Sequence, residues 1–382
     1  MNYKEEFKLI FGEKETRLFF SPGRVNLIGE HIDYCGGNVF PFAINYGTYG
    51  VVAKRTDQKV RIFSGNFKEL GIIECDLEHL EYKKEDDYVN YFKGMIKEIK
   101  DLNYEIDCGF DLYVSGNIPS GGGLSSSASV ELLVGHILKS LYSLKISDLD
   151  LVKIAKKCEN EYIGVNCGIM DQFAIGMAKV DYATLLNTAN LDFEYVPFNL
   201  GDHVIVIGNT NKIRRLQESK YNERREETEI GLKIINQRIK VNNLCELSVD
   251  DVTLNKDLFD DVIFKRVMHV VSENKRVNDS VNALYNNDLI TLGKLLNESH
   301  YSLKNNYEVT GIELDTIQEL FIKYGALGAR MTGAGFGGCA IALFKNENLS
   351  EKLKLINLEY KDKIGYEASF YLAKTSDGTK EL

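Results

Sequence analysis

The stretch that most constrains this chain is Pro119-Ser120-Gly121-Gly122-Gly123-Leu124-Ser125-Ser126-Ser127-Ala128-Ser129. Three glycines in a row cost backbone entropy and bury no side chain, so packing does not account for them. They do let backbone N–H groups come close to something bulky and negative. The serines that follow add hydroxyls and a candidate helix N-cap. Ahead of the loop, Phe110-Asp111-Leu112-Tyr113-Val114 alternates as a strand does, and behind it Val130 to Leu141 reads as an apolar-rich helix. Strand, glycine loop and helix start together make an anion site, because free N–H groups and the helix dipole both favour negative charge there. A plain Gly/Ser linker does not usually abut a strand and launch a long helix.

The rest of the chain narrows the setting of that site. At 382 residues, 44% apolar and 27% charged, it is sized for two globular domains. A net charge of −10 argues against a nucleic-acid partner but leaves room for a local phosphate site. No apolar run is long enough to span a bilayer. The opening Met1-Asn2-Tyr3-Lys4-Glu5-Glu6 lacks an apolar signal-peptide core. A cytoplasmic protein with no membrane partner is expected, and a monomer. Seven scattered cysteines without a C-x-x-C pair fit reduced thiols rather than a disulfide frame or a zinc site. His79, His136, His203, His269 and His300 read as packed or surface residues.

Three further segments carry chemistry. In Gly23-Arg24-Val25-Asn26-Leu27-Ile28-Gly29-Glu30-His31-Ile32-Asp33-Tyr34, four polar side chains sit among glycines and apolar residues. Glu30, His31 and Asp33 suit a hydroxyl-rich ligand, since carboxylates accept from O–H groups and histidine can do either. A charged surface loop is the alternative. In Gly168-Ile169-Met170-Asp171-Gln172, with Phe173 next, Asp171 sits in a mostly apolar segment, as a helix cap would, or a working carboxylate in a partly dry place. Gly333, Gly335 and Gly338 satisfy G-x-G-x-x-G, but a strand follows rather than a helix, so a tight turn near a ligand or another domain fits better than a dinucleotide site. The polar stretch Asn211 to Arg225 reads mainly as a solvated helix face.

A phosphate cradle without a Walker lysine, and without the protein-kinase motifs, implies a third type of nucleotide kinase. Such an enzyme uses ATP and needs Mg²⁺, which binds few protein oxygens and keeps waters. Ser127 at the loop and Glu159 on the neighbouring helix are candidate ligands. The acceptor hydroxyl needs a carboxylate to orient it and a cation against developing charge, roles that suit Asp171 and Arg24.

These motifs, spread over nearly the full length, resemble those of the GHMP family of sugar and small-molecule kinases, and most closely its galactose-phosphorylating branch. The resemblance implies an α+β fold in two domains, placed here at 1–180 and 181–382. The N-terminal α/β domain would hold a left-handed β-α-β crossover, against the usual rule, and the C-terminal domain would be ferredoxin-like. It implies transfer of the γ-phosphoryl of ATP to the 1-hydroxyl of galactose. Asp171 would be the base and Arg24 its partner. Glu30, His31, Asp33 and Tyr221 would bind the sugar. Gly121, Gly122, Gly123, Leu124, Ser125, Ser126 and Ser127 would hold the nucleotide phosphates, with Ser64 near the nucleotide and Ser127 and Glu159 on Mg²⁺. Two positions depart from the branch: Ile32 replaces a common threonine and Cys35 a common asparagine. That pair also resembles the family's N-acetylgalactosamine kinases, whereas Gly36-Gly37 favours galactose. A sugar-binding sensor that has lost catalysis is the other reading. Against it, Ser125 to Ser129, Asp171 and Arg24 are all present.

Overall fold

The computed structural model describes residues 2–119, 121–212 and 217–382. Its N-terminal part is organised on a six-stranded sheet. The strands run, edge to edge, Lys380–Glu381, Arg17–Asn26, Pro41–Lys54, Phe110–Gly116, Lys59–Ser64 and Ile72–Asp76. Every neighbouring pair is antiparallel except Lys59–Ser64 with Phe110–Gly116. Parallel neighbours need a crossover, and the helix Val89–Asp101 supplies it. Val89, Phe92, Met95, Ile96 and Ile99 recur at helical spacing and are all buried.

The helix Ser126–Leu141 leaves the glycine loop and is buried on most of its circumference. It packs against the strands Arg17–Asn26 and Pro41–Lys54 and the helices Val89–Asp101 and Asp148–Lys157. The loop is thereby carried on one of the most enclosed elements of the fold. Asp148–Lys157 runs on into a single π-turn, Cys158–Ile163, which contains Glu159.

The C-terminal part is built on four antiparallel strands in the order Ala326–Thr332, Cys339–Lys345, His203–Asn209, Ser369–Ala373. Numbered along the chain, that is 2-3-1-4, the ferredoxin-like order. The helix Ile312–Lys323 packs on two of these strands and on the helix Leu349–Ile364. One apolar core runs through both halves. The chain end crosses back: Asn45 N–H donates to Lys374 O, Ser376 N–H to Ala43 O, and Lys380–Glu381 pairs with the strand Arg17–Asn26. The last residues thus belong to the N-terminal sheet. Among the described residues, no helix is long and apolar enough to cross a membrane.

The expected strand and helix around the glycine loop are present, and other elements carry no clear signal in the sequence. These include the strands Ile72–Asp76 and Ser369–Ala373 and the helices Val249–Leu254 and Leu349–Ile364. The strand that starts at Arg17 runs on to Asn26. Pro22 and Gly23 lie within it, where the register shifts between Pro22 and Arg24; such an irregularity is where a sheet tolerates proline. Part of the polar stretch after Asn211 (213–216) lies outside the described residues, as does Ser120.

Candidate active site

A cavity of about 480 Å³ opens between the glycine loop, the Glu30–Asp33 segment, the Gly168–Asp171 segment and the Gly333 turn. It is within the size range of small-molecule sites. Its walls include Arg24, Glu30, His31, Asp33, Gly121 to Ser127, Glu159, Asp171 and Tyr221. The fold therefore gathers every expected site residue except Ser64. That residue ends its strand buried beside Val114, off the cavity wall.

The loop differs from the expected capped helix start. Ser125, just before the helix, adopts a left-handed backbone (φ 61°, ψ 51°) and makes no side-chain cap. Its hydroxyl instead donates to Asp171 Oδ2 at 2.5 Å. An N-cap residue ordinarily has extended backbone, which swings its hydroxyl over the first-turn amides; Ser125 is turned the other way. The side chain serves the carboxylate and does not cap those amides.

Asp171 lies in the first turn of the helix Met170–Gly176 and keeps 31% side-chain exposure toward the cavity. Arg24 Nε and Nη2 both donate to its Oδ1, at 2.9 and 2.7 Å. Arg24 Nη1 donates to Gly123 O at 2.8 Å, and the Arg24 N–H donates to Leu124 O at 3.2 Å. One buried arginine thus ties the phosphate loop to the carboxylate. Gly23 is required beside it, since a side chain there would come within 2.8 Å of Leu124 O.

Elsewhere on the cavity wall, burial and the Asp171 and Glu30 carboxylates push the Asp33 carboxyl up to about 7. Asp33 lies directly on Gly168, where an added Cβ would fall 1.9 Å from its Oδ2. Glu30 Oε1 accepts from Gly333 N–H at 2.9 Å, and Oε2 accepts from Asn26 at 3.2 Å and pairs with the wholly buried Arg330. The third motif's turn is thereby fastened to the first motif. His269, read as a packed residue, holds the Glu30 carbonyl at 3.1 Å.

His31 is buried in a left-handed backbone (φ 62°), and burial lowers its pKa to about 3, so the ring is neutral. Its Nε2 lies 3.2 Å from Ala334 O, so that nitrogen carries the proton, and Nδ1 accepts from Tyr34 Oη at 2.9 Å. With both nitrogens engaged, His31 offers the cavity a ring edge. Tyr34 in turn bonds Tyr307 at 2.8 Å. Tyr221 packs on His31 and Tyr34 with ring centroids 5.5 and 5.4 Å away, and burial raises its phenol well above the usual range.

At the far end of the cavity, burial and the nearby Asp171 charge raise the Glu159 pKa, while bonds from Ser127, Cys167 and Gln172 oppose the rise. Among the described residues no lysine or arginine pairs with Glu159. A buried carboxylate and a hydroxyl in contact, without a protein cation, fit a hard divalent ion with two protein ligands. No cluster of three or more His, Cys, Asp or Glu suited to a metal occurs among the described residues. Ile32 and Cys35, the two departures, are buried and off the cavity wall.

Sequence reasoning missed Arg330 as the partner of Glu30, and Tyr34 and Tyr307 as the support of His31. Arg330 carried a signal, an arginine beside an apolar strand and a glycine turn. Tyr307 carried none, because its contact with Tyr34 spans 273 positions.

Fold and site together define a GHMP kinase: models of the GHMP kinase N-terminal and C-terminal domains match residues 90–179 and 280–360. A galactokinase galactose-binding signature matches residues 5–54. The chain is 52% identical to a galactokinase of Clostridium perfringens, over 99% of this chain and 98% of that one. It is 51% identical to a galactokinase of Lactiplantibacillus plantarum with the same coverage. The crystal structure of Lactococcus lactis galactokinase complexed with galactose superposes with a TM-score of 0.96 at 51% identity, covering 99% of this chain and 98% of that one. Methanococcus jannaschii mevalonate kinase shares the fold at TM-score 0.69 and 20% identity, over 96% of this chain and 100% of that one. The chain belongs to the galactokinase family.

Proposed function

We infer that this chain transfers the γ-phosphoryl of ATP to the 1-hydroxyl of galactose, giving galactose 1-phosphate and ADP. The observation that carries the reading is the Arg24–Asp171 pair. It stands between a loop for phosphates and a wall of hydroxyl acceptors, where an acceptor hydroxyl and a γ-phosphoryl group would meet.

The residue roles are our proposal. Asp33, Glu30 and Tyr221 contact sugar hydroxyls, with Asp33 as charged acceptor and Tyr221 as neutral donor. His31 shapes the wall and holds the Ala334 turn in place. The backbone of Gly121 to Ser127 faces the phosphates. Ser127 and Glu159 would hold a Mg²⁺ ion that arrives with ATP, and the ion would supply charge neutralisation to the phosphates.

Asp171 orients the 1-hydroxyl and takes its proton late, since phosphoryl transfer passes through a loose transition state with little early demand on the base. The Ser125 hydroxyl and the Arg24 guanidinium fix the two Asp171 oxygens, so the carboxylate cannot rotate away. Arg24 also places positive charge beside the loop, where charge on the transferring group would be stabilised. We place the division between domains near 180 and expect a monomer.

Release of ADP on mixing the protein with Mg-ATP and galactose, followed by NMR location of the phosphate, tests the reading. A panel with N-acetylgalactosamine separates the two sugars. No galactose-dependent ADP release, from protein that binds both ligands, would identify a sensor instead.

A further inference from the structure

Behind Glu159 lies a second carboxyl that the mechanism leaves unused. Glu131, on the helix launched by the phosphate loop, is 0% exposed, and so is Gln172. Neither reaches the cavity wall. Gln172 stands between the two carboxyls: its Nε2 donates to Glu159 Oε2 at 2.5 Å and to Glu131 Oε2 at 3.3 Å. The Cys167 thiol has two acceptors in reach of its single hydrogen, Asn160 Oδ1 at 3.2 Å and the same Glu159 Oε2 at 3.4 Å. Two oxygens of the group, Glu131 Oε1 and Gln172 Oε1, are buried without a hydrogen-bond partner. Unpaired buried polar atoms are costly, and an apolar pair of the same shape would pack there without that cost. Glu159 itself sits in the π-turn that interrupts its helix, a distortion frequent at functional sites.

We propose that Gln172 and Glu131 are positioning residues that hold Glu159 in the one orientation that serves a divalent cation. The Gln172 amide has two N–H groups. One fastens a Glu159 oxygen, and the other is claimed by Glu131. That second bond stops the amide from flipping, which would set its carbonyl oxygen against the Glu159 carboxylate. With Oε2 fastened from behind by Gln172, the carboxylate keeps its free lone pairs and its contact with Ser127 toward the cavity. Partners of this kind behind a metal ligand are worth 10- to 100-fold in metal affinity. The proposal rests on the reading that Ser127 and Glu159 hold the cation.

The test is calorimetric binding of ADP to the full-length protein, with Mn²⁺ and with chelator, so that the ratio of the two affinities reports the metal alone. In Gln172→Leu and in Glu131→Leu the Mn²⁺-dependent gain should fall about tenfold or more, while metal-free ADP and galactose binding stay as in the wild type and certify the fold. Glu131→Gln, which still accepts from Gln172, should restore most of the gain. A wild-type gain in both leucine variants would overturn the proposal, even where their melting temperatures drop. A Glu131→Gln loss equal to that of Glu131→Leu would also overturn it, since charge rather than position would then be what matters. Glu159→Gln separates the layers. If it abolishes the gain while Gln172→Leu does not, this proposal alone fails; if it leaves the gain intact, the cation reading fails and takes the proposal with it.

Discussion

Replacing Asp33 with asparagine should make the protein more stable and a poorer binder of galactose, and both effects should depend on pH. Burial, then the Asp171 and Glu30 carboxylates, raise the Asp33 pKa from the ordinary 3.8 to about 7, against opposing pulls from the Tyr34 amide and Arg24. Below pH 4 the carboxyl is protonated whether the chain is folded or not, and it costs nothing. Between pH 4 and 7 the unfolded chain sheds the proton while the folded chain keeps it, so stability declines as pH rises. Above pH 7 the cost is complete. A pKa raised by about 3, at roughly 1.36 kcal/mol for each, bounds the cost at about 4 kcal/mol. The cavity wall admits water, so about 1–2 kcal/mol is the expected gain in Asp33→Asn at pH 8, shrinking toward pH 4. Urea unfolding over that range reads it. Galactose hydroxyls would lose a charged acceptor, so calorimetry at pH 8 should show at least tenfold weaker binding, about 1.4 kcal/mol or more. Wild-type affinity should fall as pH drops through about 7, and the variant's should not. An Asp33→Asn protein no more stable than wild type at pH 8, or one whose gain is equal at pH 4.5 and pH 8, refutes the electrostatic argument.

Asp171→Asn keeps the shape but cannot take the proton, and Arg24→Ala removes the cation; each should cut kcat by about 10²-fold or more in a steady-state assay. If Asp171→Asn, folded and still binding galactose, retains most of its turnover, Asp171 is structural. Ser127→Ala should weaken use of Mg-ATP and leave galactose affinity nearly intact, and calorimetry with the opposite pattern would remove Ser127 from the metal. Gly168→Ala places a methyl 1.9 Å from the present position of Asp33 Oδ2. It should therefore weaken galactose about tenfold or more, roughly the loss of one buried charged hydrogen bond. Unchanged galactose affinity would show that Asp33 can move without penalty.

The parts legible in the sequence were those written in consecutive residues. Gly121 to Ser129 announces a phosphate loop because strand ending, glycine run and helix start are local events. The helices Val89–Asp101 and Asp261–Tyr285 announce themselves by apolar period. A short edge strand such as Ile72–Asp76, exposed or half-buried throughout, does not. The serine cap was misread for the same local reason. Sequence lists a hydroxyl before a helix but not the left-handed turn that points Ser125 away from it.

What the sequence by itself determined is the stock of groups: a cradle for phosphate, acceptors for hydroxyls, a carboxylate in a mostly apolar segment, and no protein-kinase or Walker lysine. What only the tertiary structure decided is which of them meet. Arg24 reaches Asp171 across 147 positions and Arg330 reaches Glu30 across 300. Both pairings arise because the core brings separate elements together. Burial then sets their chemistry: it leaves His31 neutral with both nitrogens engaged, lifts Asp33 toward 7, and buries Glu131 behind Gln172 with an oxygen unpaired. No local pattern encodes those outcomes, because desolvation depends on every group that packs around a site.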